Sequence, residues 1–467
     1  MNIKHNIEST MRLHIKTILA GAALMASSAM QAQYTSSGYF TDGYLYRHEL
    51  NPAFGSSQGY ISMPVLGNLN LGLRGDLHMQ NFIYNVNGRT TTFMNPNVSA
   101  DEVLANVKDQ NKLSLDLKMQ LLSFGFKGLG GYNTFGLNVR TNMGVNLPGN
   151  LFRMAKEGLE NKTYDLSGLD VQAKAYAEVA LGHSHKINDN LTIGAKAKVL
   201  IGGAGVTAKL NQADLALNPN GYWDVTADAE IQASVKGLKF ETEMADRETN
   251  PRKHVSGMDI DGAGINGLGV AFDLGAEYKI NRDLSVSAAI LDLGFINWKQ
   301  TMLAKTYDNN KFTTSKYTFN VDDEATNNFE DEMDRLVDDL AALADLEDKG
   351  DIGKRKDGLD ATMNLGVEYK LPVYRKLSFG LMNTTRFGDY SWTDFRLSAN
   401  IAPVKVLSMG VNYSVGTYGS SFGWIFNLHP SGFNLFLAMD HTLGKVSKEF
   451  VPLHSNAHVN LGINFPF

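Results

Sequence analysis

Hydrophobic and polar side chains alternate along much of this chain, and the last ten residues show the pattern most clearly. From His458 to Phe467, every second side chain is apolar. These apolar side chains are Val459, Leu461, Ile463, Phe465 and Phe467. Because successive side chains of a β-strand point to opposite faces, the segment is predicted to be a strand with one apolar and one polar face.

Fourteen segments are read as strands of this kind, from their alternation and the turn signals that bound them. Read from the C-terminus, they are 455–467, 432–443, 420–429, 406–417, 391–402, 376–388, 358–370, 284–298, 266–280, 191–209, 170–185, 132–144, 112–126 and 60–75. An even number of strands returns both ends of a bacterial barrel to the periplasmic side. The pattern therefore predicts an all-β fold, a fourteen-stranded antiparallel transmembrane β-barrel over 59–467.

The connections between these strands differ systematically in length. Every second connection is short and contains Asn, Asp, Gly or Pro, which favour tight turns. The short connections are 127–131, 187–190, 280–283, 371–375, 402–405 and 429–432. The others include four long ones, 76–111, 145–169, 210–265 and 299–357. Bacterial barrels have short periplasmic turns and longer extracellular loops, so the four long connections are predicted to be extracellular.

The alternation also assigns each side chain to the lipid or to the lumen. Near the bilayer midplane, a charged side chain facing lipid would cost about 2–4 kcal/mol. The charged side chains of the predicted strands fall opposite the apolar ones, so they are predicted to face the lumen. These lumen-facing candidates are Asp116, Lys118, Arg140, Lys174, Glu178, Lys196, Lys198, Asp273, Glu277, Glu368 and Arg396.

The long connections carry elements of their own. Residues 325–348 have apolar side chains along one helical stripe and an acidic opposite face, which predicts a helix in an extracellular loop. That helix is either a surface for docking a partner or a lid whose apolar face packs over the barrel mouth. A shorter helix is predicted over 148–160, and an extra β-ribbon over 222–240.

The N-terminal residues have the pattern of a secretory signal peptide. A basic stretch with Arg12 and Lys16 precedes a short run of apolar and small residues, 18–30. This run is too short to cross a membrane as a helix. We expect 1–32 to be removed, whether translation starts at Met1 or at Met11, which would leave Gln33 as the first mature residue.

Composition and motifs suggest no enzymatic site. The net charge is −6, which gives no basic footprint for nucleic acid, and the absence of cysteine excludes disulfides and thiolate metal sites. Residues 262–267 match G-x-G-x-x-G but open a predicted strand, where no helix N-terminus could receive phosphate. His183 and His185 share a strand face without an evident third metal ligand. No catalytic residue, cofactor site or metal site is therefore predicted.

The chain as a whole resembles the FadL-type outer-membrane transporter superfamily, including its PorV-like members from Bacteroidota. The resemblance rests on fourteen strands, on Leu50-Asn51-Pro52-Ala53, and on a segment, 33–58, that precedes the first strand. It implies that 33–58 folds into the lumen as a hatch, with Asn51 and Pro52 shaping a turn. The terminal strand, with Phe465 and Phe467, resembles the signal that such barrels present to their assembly machinery.

The resemblance implies a protein of the bacterial outer membrane, surrounded by lipid. We expect it to bind or pass small hydrophobic molecules through a plugged lumen. The alternative is a non-transporting barrel that serves as a scaffold or shuttle for secreted or surface proteins, as PorV-like members do. An open porin is a third reading, but a wide aqueous pore usually has sixteen or more strands.

Overall fold

A computed structural model describes residues 35–77, 83–86, 89–93, 95, 97–105, 107–157, 162–217, 223–244, 253–262, 264–307, 311–314, 346–441 and 456–467. Fourteen antiparallel strands, β1 to β14, form the wall of a barrel. In chain order they are β1 Tyr60–Ser62 with Leu69–Gly75, β2 Gln110–Gly128, β3 Gly131–Pro148, β4 Leu169–Lys186, β5 Leu191–Leu217, β6 Gly267–Lys279, β7 Leu284–Trp298, β8 Thr362–Lys370, β9 Leu377–Arg386, β10 Trp392–Val404, β11 Leu407–Gly416, β12 Gly419–Leu428, β13 Asn434–His441 and β14 Ala457–Pro466. The predicted signal peptide lies outside the described residues.

The barrel is closed because its first strand pairs with its last. Leu69 in β1 lies opposite Leu461 in β14 on one side and opposite Met119 in β2 on the other. Closure gives each wall strand a partner on both sides and leaves no free sheet edge. The predicted fourteen-stranded antiparallel barrel is confirmed.

The first strand is interrupted between Ser62 and Leu69. Ser62 lies opposite Asn464, and Leu69 lies opposite Leu461. Between these two pairs, β1 advances by seven residues and β14 by three. Four extra residues are therefore accommodated outside the regular ladder, and Val65 among them has a positive φ of 67°. On the other side, the ladder to β2 is broken between the pairs Ile61–Phe124 and Leu69–Met119. The sequence prediction of one continuous strand over 60–75 was wrong here.

The outer surface of the wall is apolar. In β6, Leu268, Val270, Phe272 and Leu274 are each between 42% and 51% exposed, whereas Asp273 on the opposite face is 1% exposed. The same alternation continues in β5, where Ile193 and Val199 are exposed and Lys196 and Lys198 are buried. A closed barrel with an apolar exterior and a polar interior is the architecture of bacterial outer-membrane proteins. This protein is therefore an outer-membrane barrel.

At the end with the long connections, additional strands extend the wall. Trp223–Val235 pairs along the end of β5 and then with Met302–Thr306, which pairs in turn with Leu346–Asp351. The other strands at this end are Ile83–Val86, Arg89–Thr92, Thr163–Asp165, Leu238–Met244, Lys253–Ile260, Lys311–Thr314 and Arg355–Gly358. The ribbon predicted over 222–240 is thus a strand of the main sheet followed by the first strand of a separate hairpin.

The helices are short. They are a 3-10 turn over Ser36–Gly38 and α-helices over Arg47–Leu50, Ala100–Leu104 and Gly149–Glu157, the last of which confirms the helix predicted within 148–160. None of the helices in the described residues has both the length and the apolar character needed to cross a membrane. Of the helix predicted over 325–348, residues 325–345 lie outside the described residues. Its last three residues belong to the strand Leu346–Asp351, because they pair with Met302–Thr306.

Candidate functional site

Most residues of the N-terminal segment, 35–58, are buried up to Phe54 and pack against lumen-facing side chains of the wall. Its aromatic and aliphatic side chains pack against one another and against Met382, Ile425, Phe436 and Ala438 of the wall. The members from the segment are Tyr39, Phe40, Tyr44, Leu45, Tyr46, Leu50 and Phe54, each at most 6% exposed. We call these side chains, with Tyr60, the aromatic cluster. Burial of so many large rings is the main apolar contribution to holding the segment in place.

Polar contacts fix the segment to strands around the barrel. The backbone N–H groups of Ser36 and Ser37 both donate to the Asp440 carboxylate at 2.7 Å. Further along, the Tyr46 hydroxyl donates to Asn464 at 2.6 Å, and the Asn364 amide donates to the Leu50 carbonyl at 2.9 Å. Because these partners lie on β13, β14 and β8, the segment is held from several directions at once.

Glu49 is the charged anchor of the segment. Its carboxylate is buried and pairs with the Lys118 ammonium of β2 at 2.8 Å. The same carboxylate accepts hydrogen bonds from Asn68 at 2.9 Å and from Gln120 at 3.4 Å. A buried carboxylate is retained only if it is paired and hydrogen-bonded, and these three wall side chains satisfy that requirement. Asn68 lies at the end of the interruption in β1, so the anchor lies directly behind that interruption.

Asn51 and Pro52 lie in a turn that touches the wall. The Asn51 side-chain oxygen accepts a hydrogen bond from the N–H of Ala53 at 2.9 Å, which is an Asx turn. Its side-chain N–H group donates to wall carbonyls at 3.1 and 3.3 Å, those of Ala276 and Ala288.

Two wall glycines let the turn approach closely. A Cβ on Gly275 would lie 2.0 Å from the Asn51 side chain, and one on Gly194 would lie 2.2 Å from the Pro52 backbone. The absence of a side chain at these wall positions is therefore required for the turn to fit.

His48 lies buried beside the anchor. Its Nε2 is 2.9 Å from the Tyr60 hydroxyl, which in turn lies 2.8 Å from the Ser123 hydroxyl of β2. Burial lowers the pKa of His48 well below its ordinary value, and the charges of Lys196 and Lys118 lower the pKa further. His48 is therefore neutral at physiological pH.

A network of buried ion pairs occupies the other side of the lumen. Arg140 of β3 pairs with Glu178 of β4 at 3.0 Å and with Asp292 of β7 at 2.9 Å. Lys198 of β5 pairs with Asp292 at 2.6 Å and with Asp273 of β6 at 2.7 Å. We call these five residues the ion network. It crosslinks five successive strands inside the barrel, with two cations among three carboxylates.

Asp292 reaches the ion network through an irregularity in the wall. It has a positive φ of 59°, and the register between β6 and β7 shifts at this point. Such a backbone conformation costs a residue other than glycine about 1–3 kcal/mol. The bulge turns the carboxylate into the lumen, where Asp292 accepts two hydrogen bonds from Arg140 at 2.9 and 3.0 Å.

A second group of ion pairs lies nearer the end with the long connections. Arg386 of β9 pairs with Asp116 of β2 at 2.7 Å and with Asp360 at 3.0 Å. Between this group and the ion network lies a cavity of about 30 Å³, lined by Arg140, Tyr176, Asp292, Asp360, Arg386 and Tyr390 among others. A wider vestibule of about 390 Å³, lined by charged and amide side chains, shares Lys174 and Asp360 with it. We call the narrow stretch between Arg140 and Arg386 the neck.

The sequence-derived lumen candidates can now be placed individually. Asp116, Lys118, Arg140, Glu178, Lys198 and Asp273 form the pairs described above. Lys196 is buried beside His48 and Glu49, and Lys174 lines the vestibule and donates to the Gly358 carbonyl at 3.0 Å. Glu277 is half-buried, and Glu368 is buried with its carboxylate 4.0 Å from Lys370. Arg396 is buried near Asp394 and Asp440, at 3.9 and 4.0 Å.

Several lumen residues were missed from the sequence. Asp292, Asp360, Arg386 and Asp440 carry ion pairs but were not singled out. In β8 to β14, moreover, the buried polar side chains are mostly amides and hydroxyls rather than charges. They include Asn364, Ser398, Asn400, Ser408, Asn412, Ser414, Asn427, Asn434, Asn460 and Asn464. The recurrence of Asn and Ser at every second position was the available signal.

The described residues contain no cluster of three or more side chains suited to holding a metal ion. The rings of His183 and His185 stack with centroids 5.8 Å apart, and the Nδ1 of His183 lies 3.0 Å from the side-chain oxygen of Asn133.

A comparison with protein-family models identifies the family of the chain. Residues 52–440 match the family described as a family of unknown function, DUF5723. The chain belongs to this family. No curated protein sequence matches the chain. The match begins at Pro52, within the turn that touches the wall, and ends at Asp440, the carboxylate that holds Ser36 and Ser37.

Solved structures similar to this DUF5723 barrel include hydrocarbon channels and a FadL homologue. A mutant of the monoaromatic hydrocarbon channel TodX is 10% identical, with 94% of this chain and 97% of that chain covered and a TM-score of 0.43. The monoaromatic hydrocarbon channel CymD is 8% identical, with 94% and 97% covered and a TM-score of 0.38. A Pseudomonas aeruginosa FadL homologue is 11% identical, with 94% and 98% covered and a TM-score of 0.37.

Proposed function

We propose that this protein is a gated outer-membrane barrel through which small hydrophobic molecules pass, with the N-terminal segment as its hatch. One observation carries the proposal. The interruption of the wall between Ser62 and Leu69 lies directly against the anchor of the segment, since Asn68 donates to Glu49 at 2.9 Å. A movement of the segment would therefore displace the wall where the hydrogen-bond ladder of β1 is already broken.

The aromatic cluster lies behind this interruption. Asn464 donates to the Gly67 carbonyl at 3.1 Å and accepts from the Tyr46 hydroxyl at 2.6 Å, so one side chain joins the interruption to the cluster. Outside the wall, Val65 and Leu66 are exposed. Apolar groups thus lie on both sides of the interruption, which suits an apolar molecule moving between the lumen and the membrane.

The neck is less suited to such a molecule. It is lined by ion pairs, and an apolar molecule in contact with them would separate charges from their partners, which costs several kcal/mol. We therefore propose that the interruption in β1, rather than the neck, is the path for the hydrophobic molecule. In this arrangement the long connections lie outside the cell and the short turns lie in the periplasm.

Shortening the interruption tests the proposal. Deletion of residues 64–67 leaves three steps between Ser62 and Leu69, which matches the three steps of β14. The variant should form a continuous β1 and a stable barrel. Uptake of the apolar dye 1-N-phenylnaphthylamine by intact cells should fall to the level of cells without the protein.

A matched control keeps the length of the interruption. Replacement of 64–67 by Gly-Ser-Gly-Ser should leave the ladder broken and dye uptake close to that of the unaltered protein. Unchanged uptake in the deletion variant, with a normally assembled barrel, would contradict a path through the wall.

A second candidate function is a scaffold or shuttle for secreted proteins. It is favoured by the small volume of the enclosed spaces, about 30 Å³ at the neck and about 10 Å³ beside His48. A barrel whose lumen is filled in this way could bind a partner protein through the strands that extend from its long connections, without passing any molecule. Mass spectrometry of the natively purified protein separates the two functions, because a stoichiometric secreted protein would favour the shuttle and a co-purifying apolar molecule would favour transport.

A further inference from the structure

The short turns form a ring of positive charge at one end of the barrel. In the long connections 210–265 and 299–357, acidic residues outnumber basic ones, by ten to five and by fifteen to nine. In the short connections the balance is reversed. The cations within these connections or directly next to them that have no carboxylate within 4 Å, as far as the structure describes the chain, are Lys127, Lys279, Arg282, Lys376 and Lys405, which we call the basic rim.

Other cations on the same turns are already neutralised. Lys186 pairs with Asp189 at 2.7 Å, Arg375 pairs with Asp283, and Lys370 lies 3.5 Å from Asp42. Asp189 and Asp283 are the only acidic residues within the six short turns. Both acidic side chains of the short turns are thus paired with other cations, and the basic rim can bind external anions.

The basic rim lies where the apolar exterior of the barrel ends. Lys127 follows Phe126 and Lys279 follows Tyr278, and these two rings are 41% and 46% exposed on the outer face. A cation directly beyond an exposed ring has the arrangement of side chains at a membrane interface, where the ring lies at the headgroup level and the cation reaches the phosphates.

The tips of two turns add apolar contacts at the same level. Leu129 is 86% exposed and Val373 is 89% exposed, which is unusual for such side chains in water. Leu129 also has a positive φ of 54°, a position at which Gly, Asn or Asp would be expected. Exposed apolar tips beside cations suit insertion among lipid headgroups.

We propose that the basic rim binds the headgroups of anionic phospholipids in the adjacent leaflet. The distribution of the cations favours lipid over an acidic protein partner. They lie on four of the six short turns, between β2 and β3, β6 and β7, β8 and β9, and β10 and β11. One docked protein would cover a single patch, whereas a ring of lipids reaches every turn. This binding is independent of any transport through the barrel.

The test measures lipid preference on the full-length mature barrel. The protein is reconstituted in vesicles with equal amounts of phosphatidylglycerol and phosphatidylethanolamine, and the lipids that remain bound are counted by native mass spectrometry. Bound phosphatidylglycerol should exceed phosphatidylethanolamine about threefold or more at low salt, and the excess should shrink at high salt because screening weakens exposed charge interactions.

Two variants with the same change in charge locate the effect. The rim variant carries Lys127→Gln, Lys279→Gln, Arg282→Gln and Lys405→Gln. The control variant carries Lys236→Gln, Lys239→Gln, Lys299→Gln and Lys354→Gln, all exposed at the opposite end of the barrel. The rim variant should lose the preference for phosphatidylglycerol and the control variant should keep it, with both retaining the heat-modifiable mobility of a folded barrel.

The alternatives give different results. An equal loss in both variants would mean that net charge, not the basic rim, sets the preference, and would overturn the proposal. A rim variant that keeps the preference would also overturn it and would leave an acidic protein as the partner. Added glycerol phosphate should not displace the bound lipid; if it does, the rim is a site for free phosphate rather than for lipid.

Discussion

Glu49 of the N-terminal segment and Lys118 of strand β2 form a buried ion pair, with the ammonium 2.8 Å from the carboxylate. Both side chains are at least 93% buried, so the pair is protected from solvent screening. It joins a segment that precedes the barrel to a wall strand about seventy residues later in the chain. This pair thus adds a charged contact to the aromatic cluster and the hydrogen bonds that hold the segment.

Replacement of Glu49 by Gln should loosen the segment. The substitution removes the carboxylate that pairs with the buried Lys118, which is expected to destabilise the packed state by about 3–5 kcal/mol. Trypsin should then cleave at Arg47 in the assembled protein, whereas the unaltered protein should resist. Glu241→Gln, at an exposed position on the opposite end, is the control and should change nothing. Equal resistance of Glu49→Gln and the control would show that the ion pair does not hold the segment.

Acid should also weaken the packing of the segment, through His48. Its folded-state pKa lies below the unfolded value because of burial and of the nearby Lys196 and Lys118. Between these two pKa values the unfolded state binds more protons, so stability falls as the pH drops below about 6.5.

His48→Gln separates this contribution from other acid effects. Gln cannot take up a proton, so the unfolding temperature of the variant should fall less between pH 7.5 and pH 5 than that of the unaltered protein. The measurement is the temperature at which the heat-modifiable barrel unfolds on a gel at each pH. The same pH dependence in both proteins would exclude His48 as a cause.

Asp292→Asn tests the ion network. Asn tolerates a positive φ as well as Asp does, so the backbone bulge should persist while the charge is lost. Arg140 and Lys198 would lose the nearer of the two carboxylates that they share, Asp292 and Glu178, and we expect a loss of about 3 kcal/mol in stability. Leu129→Gly is the matched comparison, because it changes a positive-φ residue without an ion pair, and it should stabilise by about 1 kcal/mol. Unaltered stability of Asp292→Asn would mean that the network is not stabilising.

Phe467→Ala separates assembly from stability. The Phe467 side chain is 76% exposed, although its backbone exchanges hydrogen bonds with Gly59 at 2.9 and 3.1 Å. If the ring is an assembly signal, the variant should reach the outer membrane in much smaller amounts, while the assembled fraction should unfold at the same temperature as the unaltered protein. Normal amounts of the variant in the membrane would show that the Phe467 ring is not an assembly signal. The control is Tyr369→Ala, which removes another outward-facing ring and should leave the amount in the membrane unchanged.

The alternation of apolar and polar side chains predicted the wall strands, because a membrane-spanning strand needs apolar side chains on its lipid face and can carry polar ones on its lumen face. In the terminal strand Phe465 and Phe467 are exposed, and in β5 Lys196 and Lys198 are buried, as the alternation of each strand requires. The interruption in β1 was not predictable, since Met63-Pro64-Val65-Leu66 is apolar throughout and the four extra residues appear only against the register of β14.

The ion pairs were also beyond the sequence. Asp292 directly follows the apolar stretch Ala289-Ile290-Leu291, and only the bulge in β7 turns its carboxylate into the lumen. The contacts of the N-terminal segment depend on the closed barrel, which brings Asp440 to Ser36 from the far end of the chain. Patterns of period two carry no information on such pairs.

Planar-bilayer conductance tests most directly the claim that the lumen is closed by the N-terminal segment together with the neck. Three proteins are compared: the intact barrel, a variant lacking residues 35–56, and the same deletion combined with Arg140→Ala and Asp292→Ala. The intact barrel should show no steady pore, the deletion alone a small one, and the combined variant a large one. A large steady conductance from the intact barrel, or none from the combined variant in a folded state, would contradict the account.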